Sequence, residues 1–210
     1  MKMQDLLELL AGRASHRKYL SDPIPTDDIL TMAEAARHAP SGHNLQPWKL
    51  LAVIDKALIA DIADASTREY KALVARLPED VRERQGRFEF FVGHFREAPL
   101  VFAVLSKKSE IDSDGYERLY GVRFPRPKCF DLDCLGVGAF IQNLLLAAEA
   151  LGYGTCWVAA PVMYAQEKVE QLLSVREPWH VVSLVSVTKP VRERKGAPKK
   201  DLGEILTIVS

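Results

Sequence analysis

The sequence predicts an α+β fold in a single domain spanning residues 1–210. Three observations point there. Apolar runs of strand length are interspersed with amphipathic stretches of helical period. No internal repeat recurs along the chain, and no Pro/Gly/Ser-rich linker divides it. With 210 residues, 48% of them apolar, the chain can bury a substantial core.

Leu6, Leu7, Leu9 and Leu10 form one apolar side of a short opening helix that stops near Gly12, before the basic stretch RASHRKY. Thr26 is placed to cap a second helix, with Asp27 and Asp28 at its positive end and Arg37 and His38 at its negative end. Ile29, Leu30, Ala33 and Ala36 form the inward side of that helix, and Pro40 ends it. The segment from Pro40 to Pro47 can continue neither a helix nor a central strand, and it feeds the strand Trp48 to Ile54. Lys56 to Arg96 is rich in charges and helix formers, with Pro78 as a break, which predicts two or three surface helices.

Leu100 to Leu105 is a near-continuous apolar run, as expected of a strand covered on both faces. Residues 106–130 read as a long loop carrying DSDG and PRPK. Asp131 to Leu151 is apolar around nearly its whole circumference, which predicts a central helix stopped by Gly152 and Gly154. Thr155 to Val158 follows as a short strand, Gln166 to Leu173 as a helix and His180 to Val187 as a strand. A basic, turn-rich stretch from Lys189 to Lys200 leads to a last apolar segment, Ile205 to Val209.

Lys plus Arg (28) balances Asp plus Glu (28), so no global field draws the protein to nucleic acid or an anionic membrane. The basic stretch 192–200 contains Glu193 and no interleaved aromatics, which makes it a poor nucleic-acid site. The three cysteines, Cys129, Cys134 and Cys156, form neither a disulfide framework nor a CxxC zinc half-site. The N-terminus is too acidic for a secretory signal, and the uncharged run Cys134 to Ala148 is shorter than the roughly 20 residues of a membrane span. The cytoplasm is the expected compartment. The five histidines lack metal spacing, and no GxSxG, HExxH, Walker or GxGxxG motif is present.

Four constellations could carry chemistry. Arg13, Ser15 and Arg17 bring two guanidiniums and a hydroxyl within five residues, a donor set for a phosphate or else a solvated basic turn. APSGHNLQPW at 39–48 fixes a loop shape with two prolines and a glycine, and offers Ser41, Asn44 and Gln46 to a heterocycle; a helix stop and turn would look the same. Gln142 and Asn143 interrupt the apolar helix before LGYGTCWVAA, where small residues let backbone amides approach a flat ligand, or where a buried Gln is simply satisfied by nearby backbone. Lys199 and Lys200 follow Pro198, as solvated lysines or as a further cation pair.

Taken together, these segments resemble the nitroreductase family of FMN-dependent oxidoreductases. RASHR at 13–17 is similar to its R-x-S-x-R/K phosphate clamp, and APSGHNLQPW to its A-P-S-x-x-N-x-Q-P-W segment. FREAPLVFAVL, AFIQNLLLAAEALGYGTCW and TKPVRERKGAPKKDLGEIL resemble the strand beside the flavin, the central dimer helix with its glycine turn, and the closing stretch. The resemblance implies a mostly antiparallel sheet flanked by helices and an intertwined homodimer, with FMN bound across the interface.

It further implies that Arg13, Ala14, Ser15 and Arg17 hold the phosphate, with Lys199 or Lys200 completing the charge. Pro40, Ser41 and Asn44 would lie at the isoalloxazine or ribityl edge, and Gln142, Trp157 and Val158 would line the cofactor. Backbone amides of Ala159 and Ala160, where family members often carry an acidic residue or glycine, would face flavin N5 and O4. Arg68 or Lys71 would supply the cation near N1. The implied activity is ping-pong hydride transfer from NADH or NADPH to a small-molecule acceptor such as a nitroaromatic or quinone, without a catalytic triad. A specialised reductase or dehydrogenase of one metabolite, with Tyr116, Tyr120, Phe124 and Arg126 on a substrate lid, is one alternative. A non-catalytic flavin-binding sensor is another.

Overall fold

The computed structural model describes residues 2–108, 113–121, 132–191 and 196–209. Strands β1 (Trp48–Val53), β2 (Leu100–Ser106), β3 (Gly154–Val158) and β4 (His180–Thr188) form one sheet in the order β1-β2-β4-β3. Every pairing in it is antiparallel, as expected. β2 is buried along its whole length and alternates sides. Leu100, Phe102 and Val104 join one core, and Val101, Ala103 and Leu105 join the other.

The first core lies under α2 (Thr26–Arg37) and α7 (Leu132–Ala150), where Met32, Ala36, Phe140, Ile141, Leu144 and Ala148 meet the sheet. Trp48 and Phe140 pack there with ring centroids 5.2 Å apart. The second core lies under α3 (Lys56–Val74) and α8 (Ala160–Leu172), with Ile59, Ile62, Ala63 and Val169 against β2 and β4. Burying a side chain such as Phe102 stabilises the fold by about 1.5–3 kcal/mol. Asp55 caps α3 by accepting from the Ala57 and Leu58 amides at 2.8 and 3.2 Å. The chain also forms α1 (Met3–Gly12), α4 (Glu79–Gly86), α5 (Glu89–Gly93), a 3-10 turn His94–Glu97, α6 (Ser113–Tyr120) and α9 (Leu202–Ile205).

Several expectations need correction. The stretch 106–130 is not wholly a loop, because Ser113–Tyr120 forms helix α6. Its Tyr116, Leu119 and Tyr120 recur at helical spacing, a pattern too short to separate from a loop by eye. Phe124, Arg126 and Cys129 lie outside the described residues. α2 is preceded by Pro25 at the cap position, so Thr26 is its first helical residue and not its cap. Met32 and Ala36 are buried and Ile29 packs against the core, as expected of Ile29 and Ala36, while Leu30 is exposed. α3 is no mere surface helix, since it buries seven residues. α8 starts at Ala160, well before the expected Gln166, because Pro161 suits a first helical turn. Its backbone breaks helical geometry at Ala165 (φ −143°). Ile205, Leu206, Ile208 and Val209 of the last apolar segment are exposed, from 52% at Leu206 to 91% at Val209.

Candidate functional site

Beyond α1 the chain runs along the free edge of β3. The His16 amide donates to the Thr155 carbonyl at 2.8 Å, and Ser15 forms an isolated parallel bridge with Thr155. An open sheet edge exposes donors and acceptors, and this segment satisfies part of them. The approach requires a glycine, since a Cβ on Gly154 would stand 2.5 Å from His16 Cγ. At the far end, Tyr19 Oη shares hydrogen bonds with His94 Nδ1 at 2.7 Å and Ser186 Oγ at 2.8 Å, and the Leu20 amide donates to Thr188 Oγ1 at 3.0 Å.

Arg13, Ser15 and Arg17 are half-buried along this edge, with Ala14 buried between them. Their charges and dipoles converge on one point. Burial pushes the Cys156 thiol up, while Arg17, Ser15 and Arg13 all pull it back down. Burial, then Arg17, holds His94 at about 4, so its imidazole is neutral. Burial raises the Glu149 carboxyl, against the pull of Arg13. The Arg17 guanidinium lies 5.2 Å from the centre of the Phe91 ring. Among the described residues, neither Arg13 nor Arg17 forms an ion pair with a carboxylate. Two guanidiniums so placed suit an incoming anion, and a phosphate above all.

The closing stretch returns to the same place. A Cβ on Gly196 would lie 3.3 Å from the Ala11 carbonyl and 3.4 Å from that of Arg13. Lys199 and Lys200, exposed, follow by three and four residues.

The second segment is a strained loop packed on α7. A Cβ on Gly136 would meet the Pro40 carbonyl at 3.2 Å and Ser41 Cα at 3.6 Å. Ser41 Oγ accepts from the Gln46 amide at 2.9 Å, and Gln46 Nε2 donates to Asn44 Oδ1 at 3.2 Å. His43, Asn44 and Gln46 adopt φ of 50°, 57° and 48°. Each such conformation costs a non-glycine residue about 1–3 kcal/mol. The strain holds the exposed Asn44 and Gln46 side chains above the surface in one geometry.

Beside the clamp, β3 exposes Trp157 between the buried Cys156 and Val158. Thr155 shares the Trp157 side of the strand, is 1% exposed, and among the described residues is the buried side chain whose hydroxyl has no partner. Such an orphan is costly unless a bound group satisfies it. Ala159, exposed, and Ala160, half-buried, lead from β3 into α8, where the first amides lack helical acceptors. Gln142 is half-buried on α7, and Asn143 Nδ2 donates to the Ala35 carbonyl at 3.4 Å.

Arg68 and Lys71 separate. Arg68 lines an outer groove of about 420 Å³ between α3 and α8 with Asp64, Lys168 and Gln171. Lys71 pairs with Glu89 at 2.8 Å, next to Tyr70, which packs with Ala160 and Tyr164. Sequence reasoning missed Tyr19 and His94 as partners of the clamp. The only available signal was that Tyr19 stands two residues beyond Arg17, on the same side of an extended chain.

The model of the Nitroreductase family matches residues 10–189. The 5,6-dimethylbenzimidazole synthase of Rhodospirillum rubrum is 29% identical over 185 residues, covering 88% of this chain and 82% of that protein. The 4-nitrobenzoate reductase of Pseudomonas putida is 30% identical over 172 residues, 72% of this chain and 71% of that one. The crystal structure of a BluB-like flavoprotein from Clostridium difficile 630 superposes with a TM-score of 0.85 at 26% identity, covering 100% of both chains.

Proposed function

Because the chain belongs to the nitroreductase family, we propose that it is an FMN-dependent oxidoreductase, a single domain working as a homodimer in the cytoplasm. Bound FMN would supply the chemistry of hydride transfer between NADH or NADPH and an oxidised small-molecule acceptor such as a nitroaromatic or quinone.

The observation that carries the reading is the clamp: among the described residues Arg13 and Arg17 have no carboxylate partner, and with Ser15 between them all three act on the Cys156 thiol. This donor set fits a phosphate monoester of nearly two charges. Arg13, Ala14, Ser15 and Arg17 hold it, and Lys199 or Lys200 adds a further cation. Ala159 and Ala160 direct backbone amides at the ring, where charge develops on reduction. Trp157, Val158 and Gln142 line the ring site, and Pro40, Ser41 and Asn44 close it across the subunit interface. Arg68 or Lys71, both on α3, supplies the cation near N1 of the ring.

The test is direct. Purified protein should be yellow, release FMN on denaturation, and bleach anaerobically with NADH or NADPH. Colourless protein to which added FMN neither binds nor confers NAD(P)H oxidation would overturn the proposal. A second reading is a specialised flavin reaction on one metabolite, supported by the likeness to a named synthase over most of the chain. A flavin that binds but turns over no nitroaromatic or quinone would favour it. A flavin that binds and is never reduced would leave the sensor module.

A further inference from the structure

Among the described residues no carboxylate holds Arg17 in place for its anion. A long flexible cation loses conformational entropy when it is immobilised, so its binding geometry has to come from what it packs against. Two things locate it. One is the Phe91 ring beneath the guanidinium, 5.2 Å away. The other is Tyr19, two residues on. Its ring stacks on His94 with 6.0 Å between centroids and 5° between planes, and its hydroxyl is shared by His94 and Ser186. Phe90 and Phe95 enclose His94 on other sides, at 5.8 and 6.1 Å. The chain of polar contacts ends at Cys156 Sγ, 3.8 Å from His94 Nε2, the same thiol that feels Arg13, Ser15 and Arg17. Tyr19 is therefore pinned to β4 at one side and to the turn after α5 at the other. Arg17 stands between this pin and the His16 bond to β3.

We propose that Tyr19 and His94 are positioning residues for the anion clamp, holding the segment that carries Arg17 so that its guanidinium meets the cofactor phosphate already in place. Neither touches the reacting ring. The inference rests on the reading that the clamp takes the phosphate of FMN.

The experiment compares FMN with riboflavin, which lacks the phosphate, by quenching of flavin fluorescence on titration with apoprotein. Tyr19→Phe keeps the ring and removes the hydroxyl; His94→Phe keeps an aromatic group and removes both nitrogens. Each should raise the Kd for FMN about tenfold while riboflavin stays within about twofold, in line with the worth of one or two hydrogen bonds. His94→Asn, which returns a polar group near the Nδ1 position, should recover most of the loss. An unchanged ratio of FMN to riboflavin affinity overturns the proposal, whether neither ligand weakens or both weaken equally, as they would for general structural support. If His94→Phe does not fold, the Tyr19→Phe protein decides the matter by itself. Unsubstituted protein that fails to prefer FMN over riboflavin overturns the phosphate reading before any variant is made, and the positioning role falls with it.

Discussion

His16 lies over the backbone of Gly154 so closely that a Cβ there would stand 2.5 Å from Cγ and 2.8 Å from Cδ2 of its ring. His16 is itself buried, so it has little room to yield. This contact seats the clamp segment on the edge of β3, and with it Arg13 and Arg17.

Gly154→Ala should therefore destabilise the protein by about 1–3 kcal/mol, the usual cost of overpacking. Chemical denaturation measures it. FMN binding should weaken at the same time, because the displaced segment carries the clamp. Adding His16→Ala should recover part of the stability, since residues in contact couple.

Arg17→Ala should weaken FMN binding by about 10- to 100-fold, the worth of charge-assisted hydrogen bonds. Riboflavin affinity should be unmoved. Arg17→Lys should restore only part, because an ammonium lacks the planar fork and stacks less well on Phe91. Isothermal titration with each flavin gives the comparison.

Acid stability should carry the mark of His94. Its folded value is about 4 against an ordinary 6.5. The unfolded chain takes up this proton as the pH falls through about 6.5, and the folded chain does not until about 4. The contribution of His94 is thus unpenalised above that window, declines within it and levels off below. His94→Asn should flatten that part of the stability curve relative to the unsubstituted protein, as followed by urea titrations between the two pH values.

The closing segment should be needed for assembly. Ile208 and Val209 are 85% and 91% exposed in the single chain. Such apolar side chains gain by burial against a second copy. Ile208→Asp should leave the stability of an isolated chain nearly unchanged and shift the oligomer toward monomer, as read by sedimentation. FMN should be lost with it, if the site is completed across the interface.

The parts of the site that lie close in sequence were legible. Arg13, Ser15 and Arg17 are within five residues, and Pro40 to Pro47 forbids regular structure through its own covalent geometry. The same holds for the fold: the even burial of β2 and the all-round apolar α7 follow from composition alone. Gly154 could be read as a helix stop, yet its more demanding role, the close passage of His16, lies in no local pattern. The left-handed backbone was half-hidden: His43 and Asn44 are residue types enriched there, but Gln46 carries no such signal.

The sequence by itself determined the four strands, the central helix α7 and the cationic set at 13–17, because each depends on neighbours a few bonds away. Tertiary structure alone decided that Tyr19 finds His94, 75 residues distant, and Ser186, 167 residues distant. It also decided that Lys71 turns to Glu89 while Arg68 lines the outer groove, and that Gly196 returns to Arg13. Those choices belong to packing. A buried polar group takes whichever partner the folded chain brings within reach, and spacing along the chain does not encode that distance.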